Sequence, residues 1–588
     1  MDTLGTWDYV VFGIFLLVSI AIGIFYRFSG GRQQTVQEYM LADRKMSAIP
    51  VSMSLMTSFI SAVTILGTTS ENYLYGTQYL LLNFSYVIGT PIVNFVFLPV
   101  FFNSGDKISV YQYLDSRFGP YARLAAALAF SLQMTLYMGV VLYAPSLAIS
   151  AVTGMDKVVA ILSIGTACTI YSTIGGIKAV LITDLIQGTL MFLAIFAVII
   201  KGLVDIGSVG HILSVVEESG HIEFFNFDLD PTTRHTVWGT LIGGLFTFLS
   251  LHAVNQAQIQ RMRTLENISS ARWSLFASSI FVVILSFSLG FMGLLMYVNY
   301  QKCDPLISKR ICKSDQLVPF FVLESFKNFP GLTGFFIAGL MSGSLSTIST
   351  AINSLSAVCW EDFVKPALDI KGVHVKSSTI PFVTKMIAFT FGLSSIGVAF
   401  IAEQFTSVLT ASMTIFGIIG GPILGMFTLG MMMPFVSQRA AVSSFLVALG
   451  FGLWIGFGGP RPSPVRIPPS PDQCPIWSNS SCPMTSGGPP RDDYFYLYKV
   501  SYLWYSLITF TITIILGAII SLWYPQETKV SEALLSPALR RIINASEARA
   551  VVKEENTKSN GKGEVEMTYV VQSENADSSN DNASGDSL

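Results

Sequence analysis

Five hydroxyls, those of Ser344, Ser346, Thr347, Ser349 and Thr350, sit close together inside the apolar run FFIAGLMSGSLSTISTAINSLSAV (335–358). A hydroxyl taken into hydrocarbon without a partner costs free energy, so a membrane helix that collects them needs a reason. On a helix, Gly343, Ser346 and Thr347 stand at i, i+3 and i+4 and share one face. Ser346 and Thr347 offer two side-chain oxygens there, and Gly343 leaves its backbone carbonyl unshielded. A hard cation such as sodium takes oxygen ligands, and neutral oxygens hold it without the tighter grip of a carboxylate. The competing reading is structural: such hydroxyls also bond to the carbonyl four residues back or mediate close helix packing.

A second segment tips the balance. SMSLMTSFISAVTILGTTS (52–70) again mixes hydroxyls (Ser54, Thr57, Ser58, Ser61, Thr64) with Gly67 in a run only marginally apolar enough to span. Interrupted membrane helices free carbonyls that coordinate sodium. A break near Ser58 would offer the carbonyls of Thr57 and Ile60, and five oxygens would then converge on one ion.

The elements that must position these residues are membrane helices. The chain has 588 residues, 51% hydrophobic and only 12% charged, with a net charge of −2 that gives no hint of a nucleic-acid partner. That charged fraction is about half of what a soluble domain carries. Runs of roughly 20 apolar residues recur about thirteen times between residues 7 and 523, among them 48–70, 79–102, 236–256, 331–357 and 408–433. The N-terminal stretch has no basic leader and is long enough to span and stay.

Lys and Arg in short connections set orientation. Arg27, Arg32, Arg44 and Lys45 follow the first span and place that loop in the cytoplasm, with the N-terminus outside. Segments 103–121 and 257–272 then also fall inside, the latter carrying Arg261, Arg263 and Arg272. Cys303, Cys312, Cys474 and Cys482 fall in two outer loops, where an oxidising compartment makes them disulfide candidates of open pairing. The outer loop 458–500 also carries a glycosylation acceptor at Asn479. A multi-pass plasma-membrane protein with a transmembrane domain over 1–524 and a disordered cytoplasmic tail over 525–588 is expected.

The chain resembles the sodium:solute symporter family over roughly residues 7–524. The resemblance is carried by WDYVVF (7–12), ADRKM (42–46), SFISAVTILGT (58–68), YMGVVLYAPSLA (137–148), GGIKAVLITDLIQ (175–187), NQAQIQR (255–261), STISTAIN (346–353) and FGIIGGPILGMFTLGM (416–431). These motifs are most similar to the animal branch of iodide, multivitamin and monocarboxylate carriers. The resemblance implies an all-α fold of two inverted five-helix repeats with broken helices, here over about 48–202 and 236–433. It implies a sodium site at Thr57, Ile60, Gly343, Ser346 and Thr347, with sodium as the co-transported ion, and a coupling or gating role for Asp184; a structural role for Asp184 near the cytoplasmic end is the alternative. Thr64 and Tyr86 stand where the iodide carriers place Gln, which disfavours iodide. The remaining substrates are small carboxylates: monocarboxylates such as lactate, pyruvate, nicotinate or short-chain fatty acids, or alternatively biotin and pantothenate.

No Lys or Arg sits mid-span where a central site would lie, so hydroxyls, exposed backbone N–H groups and bound sodium are expected to meet the anion's charge. Ser61, Thr64, Tyr86, Tyr137, Asn255 and Ser412 are the candidates by chemistry and by position in the resemblance. An enzyme is disfavoured: the chain has five His, no HExxH, no phosphate-binding loop and no nucleophile elbow with partners. A sodium-gated channel or sensor on the same fold is the other competing class.

Overall fold

The computed structural model describes residues 4–28, 36–103, 105, 107–376, 379–405, 407–467 and 493–545. One compact unit spans Met1–Pro537; a second covers Ala538–Leu588, of which the described part, residues 538–545, is helical. Asn479, Cys474 and Cys482 lie outside the described residues.

Helices make up the fold, and the described residues hold only an isolated bridge between Val436 and Pro525. Among the described residues, nine helices are long and apolar enough to cross a membrane, or ten if a bent pair is one span. Shorter apolar helices cover Lys157–Ile170 and Gly239–His252. The hydroxyl-rich helix is the centre of this bundle. Of the most apolar window in Leu332–Ile370, 94% is buried inside the protein, against 28% for Tyr502–Trp523 at the rim. It packs against Lys157–Ile206, Pro120–Thr153, Thr6–Phe28 and Ile380–Ala402. Its hydroxyls therefore face protein on every side rather than lipid.

The bent pair is Ala48–Phe59 and Ala62–Tyr75, which meet at 57°. Ile60 (φ −91°, ψ 96°) and Ser61 (φ −96°, ψ 177°) are extended between them. No Gly or Pro stands at this break, so local propensity does not make it. What holds it is Gly343. A Cβ there would lie 3.2 Å from Ala62 N and 3.3 Å from the Ile60 carbonyl oxygen. The break sits one turn beyond Thr57, slightly later than its expected place near Ser58.

A second break was not expected. The run 236–256 reads as one span, yet the helix ends at His252 and a new one, Gln256–Met262, begins after it. Asn255 caps this short helix by accepting from Ala257 N at 2.9 Å. Gln256 anchors it to the segment before the helix Gln112–Arg117, accepting from Val110 N at 2.8 Å and donating to Ile108 O at 3.1 Å. The chain thus runs deeper into the protein than 256. Elsewhere, the turn expected between spans 157–175 and 180–202 is a single residue, Gly176, in the left-handed region at φ 62°, ψ 176°.

The compact unit also continues past residue 524. Gln526 N donates to Phe435 O at 3.2 Å, Ser536 N to Met431 O at 3.0 Å, and Tyr113 OH to Leu534 O at 2.9 Å. Residues 525–537 are a strap bound across helix ends and belong to the body, not to a disordered tail.

Candidate functional site

The first break and the hydroxyl helix meet face to face. Ser346 Oγ donates to Thr57 Oγ1 at 3.0 Å, and Thr347 Oγ1 lies 3.3 Å from the Ser58 carbonyl. Gly343 abuts Ile60 and Ser61. Thr57, Ile60, Gly343, Ser346 and Thr347, far apart in sequence, are thereby gathered around one interruption. Both readings of these hydroxyls find support. Thr347 Oγ1 also donates to its own Gly343 carbonyl at 2.8 Å, a local back-bond that an ion would replace.

Beside this cluster lies a cavity lined by Ile60 and Thr347 themselves, so the oxygen cluster and the cavity share a wall. Its lining includes Thr64, Tyr86, Tyr137, Asn255 and Ser412. Ser61 stands behind the wall and accepts from Tyr137 OH at 3.3 Å. Aromatic rings frame the space: Tyr137 lies 4.5 Å from Phe416 between centroids, and Tyr86 meets Phe59 at 5.3 Å and Phe248 at 5.4 Å. Thr64 Oγ1 leans on the Phe59 carbonyl at 3.4 Å. Asn255 spends its oxygen on the helix cap, and its Nδ2 is 4.0 Å from Met134 Sδ.

The expectation that no cation lies near the site is wrong. Arg261 is buried beside it, 1% exposed. Its guanidinium donates to the Ser54 carbonyl at 2.8 Å and to Asp184 Oδ2 at 3.0 Å, and also bonds the hydroxyls of Ser58 and Thr350. Ser58 and Thr350 both line the cavity. Asp184 in turn accepts from Ser54 Oγ at 2.5 Å. The second break explains the error: Arg261 sits on the short buried helix Gln256–Met262 rather than in an exposed loop. Its charge is matched by Asp184, so the pair supplies dipoles and geometry more than net charge. Asp184 therefore joins its own helix to those of Ser54 and Arg261 directly, and to that of Thr350 through Arg261.

Two clusters of charged residues stand outside the cavity lining. On the side of Tyr75, Arg234 grips Glu71 with two bonds, at 2.6 and 3.0 Å, while His235 Nε2 and Tyr502 OH approach the same carboxylate at 3.0 and 3.4 Å. Arg234 also donates to Thr410 Oγ1 at 3.3 Å and lies 4.4 Å above the Tyr75 ring. In the other cluster, Gln112 Nε2 donates to Glu361 Oε2 at 2.9 Å, Ser109 bonds Asp362, and Arg263 donates to Gly105 O at 2.7 Å. In the loop after Tyr300, burial holds the Asp315 carboxyl up at about 6; the Val408 N–H it accepts and nearby Lys313 offset this only in part. Lys157 beside exposed Glu403 lowers that carboxylate. Cys303 and Cys312 are both disulfide-bonded, while Cys168 and Cys359 are free.

Sequence reasoning missed Arg261, Gln258, Thr350, Glu71 and Arg234. The signal for the first two was the polar stretch NQAQIQR directly after an apolar run, with Asn as a helix start.

The sodium:solute symporter family model matches residues 39–448. A putative sodium-dependent multivitamin transporter of Drosophila melanogaster is 45% identical over 527 residues, 89% of this chain and 87% of that one. Sodium-coupled monocarboxylate transporter 1 of Mus musculus is 40% identical, covering 88% and 87%. The sodium-dependent multivitamin transporter of Oryctolagus cuniculus is 40% identical, covering 89% and 83%. Among solved structures, a Na+-coupled sialic acid symporter superposes with a TM-score of 0.74 at 22% identity, over 89% of this chain and all of that one. A nucleobase-cation-symport-1 family transporter does so at 0.53 and 11%, over 84% and 96%. At these identities the two structures speak for the fold alone.

Proposed function

We propose that this chain, which belongs to the sodium:solute symporter family, imports a small organic carboxylate down the sodium gradient. That it is a sodium-coupled solute symporter of the membrane follows from the family. The carboxylate, the site residues and the mechanism are the proposal. The observation that carries it is the shared wall: Ile60 and Thr347 belong both to the oxygen cluster and to the cavity lined by Thr64, Tyr86, Tyr137, Asn255 and Ser412.

Thr57, Ile60, Gly343, Ser346 and Thr347 hold the sodium ion. A cation held there lowers the cost of bringing a carboxylate into the adjoining cavity, and by reciprocity the anion tightens sodium. Hydroxyls at the cavity wall, with Tyr137 and Ser61 as a bonded pair, complete the anion's contacts. Two inverted five-helix repeats, flanked by the remaining helices of about thirteen, then rock one group against the other and expose the site alternately. The N-terminus, the loop carrying Asn479, Cys474 and Cys482, and the loop carrying Cys303 and Cys312 face outward in this scheme. Asp184, with Arg261, couples the ion site to the helix beneath the cavity. A monocarboxylate such as lactate, pyruvate or nicotinate is the first candidate, and biotin or pantothenate the second, since relatives named for each are similarly close.

The experiment is sodium-dependent uptake of labelled lactate and nicotinate beside biotin in cells of low background, with the native chain and Thr347→Ala. Concentrative uptake with a raised sodium requirement in the variant is expected. Uptake indifferent to sodium, or merely following the acid's own gradient, would overturn the coupling scheme.

A further inference from the structure

Gln258 stands on the short helix Gln256–Met262 and lines the cavity, 7% exposed. Among the described residues, its side-chain oxygen has no hydrogen-bond partner. Ser412, on the helix Val408–Ile415, lines the same cavity at 5% exposure, and its hydroxyl is unpartnered too. Several polar neighbours in the lining are engaged: Thr347 with the Gly343 carbonyl, Ser58 and Thr350 with Arg261, Tyr137 with Ser61. The lining also includes the apolar side chains of Leu251, Met413 and Phe416. A buried polar group left without a partner costs about 1–3 kcal/mol, so two at one cavity point to a ligand that supplies the missing bonds.

The chemistry restricts that ligand. A carboxylate only accepts hydrogen bonds, so the anionic end of the cargo cannot satisfy the oxygen of Gln258. That oxygen needs a donor, an N–H or an O–H, and an amide or ureido group supplies one beside a carbonyl. The hydroxyl of Ser412 can donate to a carbonyl. We propose that Gln258, assisted by Ser412, is a specificity-determining residue that reads an amide or ureido group carried on the transported acid at a distance from its carboxylate. Acids with no second donor, such as propionate, leave Gln258 unsatisfied and are bound without its help. The assignment rests on the reading of the cavity as the site of a carried carboxylate.

The test compares sodium-dependent uptake of biotin, an acid with a ureido group, and of propionate, a plain acid, by native protein, Gln258→Leu and Gln258→Asn, each normalised to surface-labelled protein. Gln258→Leu raises the KM for biotin about tenfold, the factor for one lost hydrogen bond at the upper end of the usual range, and leaves that for propionate unchanged. Gln258→Asn, which keeps the amide on a shorter arm, falls between and serves if the leucine variant does not reach the membrane. An equal loss for both acids, or none for biotin, overturns the assignment. Native protein that concentrates propionate but not biotin also overturns it while leaving the carboxylate reading intact. Native protein that concentrates neither acid overturns the carboxylate reading, and Gln258 with it.

Discussion

Arg261 Nη2 lies 3.0 Å from Asp184 Oδ2, and the two side chains are 2% and 0% exposed. Buried ion pairs gain little over an apolar pair of the same shape, but removing one partner leaves an uncompensated charge at a cost of roughly 3–5 kcal/mol. Asp184→Asn and Arg261→Gln alone should each lower the amount of folded protein at the cell surface. The double variant Asp184→Asn/Arg261→Gln should recover much of it while remaining slow in transport, since Ser58 and Thr350 lose their anchor. Surface labelling and thermal unfolding of the purified protein check both parts. Equal damage in single and double variants would mean that the two residues act apart.

At the first break, Gly343→Ala places a methyl 3.2–3.3 Å from Ala62 N, the Ser61 carbonyl carbon and the Ile60 carbonyl oxygen. The interruption must then shift. The expected result is a severalfold higher sodium concentration for half-maximal uptake with the folded amount preserved. Sodium activation curves at fixed substrate decide it; an unchanged curve removes Gly343 and the break from the ion site.

Much of this site was legible in sequence because helical spacing fixes which side chains share a face. Gly343, Ser346 and Thr347 stack at i, i+3 and i+4 whatever surrounds them. The two interruptions were less legible. Residues 57–62 contain no helix breaker, and their break exists because Gly343 admits it, a contact across almost three hundred residues. At Asn255 the breaker was present but lay at the end of an apolar run, where a polar stretch reads as an exit to water. Arg261 was misplaced for the same reason. Glu71 and Arg234 were invisible as a pair, since nothing local in either segment announces a partner 163 positions away.

Glu71→Gln should loosen the far end of the cavity. Its carboxylate holds Arg234, His235 and Tyr502 together, and Arg234 reaches on to Thr410. Thr68→Cys, a cavity-lining position on the Glu71 helix, offers a probe. With Glu71→Gln the thiol should react severalfold faster with a membrane-impermeant maleimide added outside, in sodium-free medium. An unaltered rate would show that the Glu71 cluster does not close this end.

The raised Asp315 carboxyl gives a pH signature. Its folded value near 6 lies above the ordinary 3.8, so between these values the folded protein binds the proton more tightly than the unfolded chain. This residue's contribution to stability therefore grows as pH falls from above 6 toward 4, and is lost as pH rises through 6. The difference in unfolding temperature between native protein and Asp315→Asn should change across that window, with native protein gaining relative to the variant on acidification. A difference that stays flat from pH 7 to 5 would place the titration elsewhere.

The strap over residues 525–537 bears on how the protein can be handled. Backbone bonds from Gln526 and Ser536 to Phe435 and Met431, and the Tyr113 hydroxyl on Leu534, pin it to the end of the span Val408–Met432, which lines the cavity at Ser412 and Phe416, and to the short helix Gln112–Arg117. A reporter or purification handle fused directly after Trp523 would displace that strap and strip those helix ends of their partners. One joined after Pro537 would not. The boundary for shortening or labelling this carrier is thus drawn by hydrogen bonding, not by where the apolar residues stop.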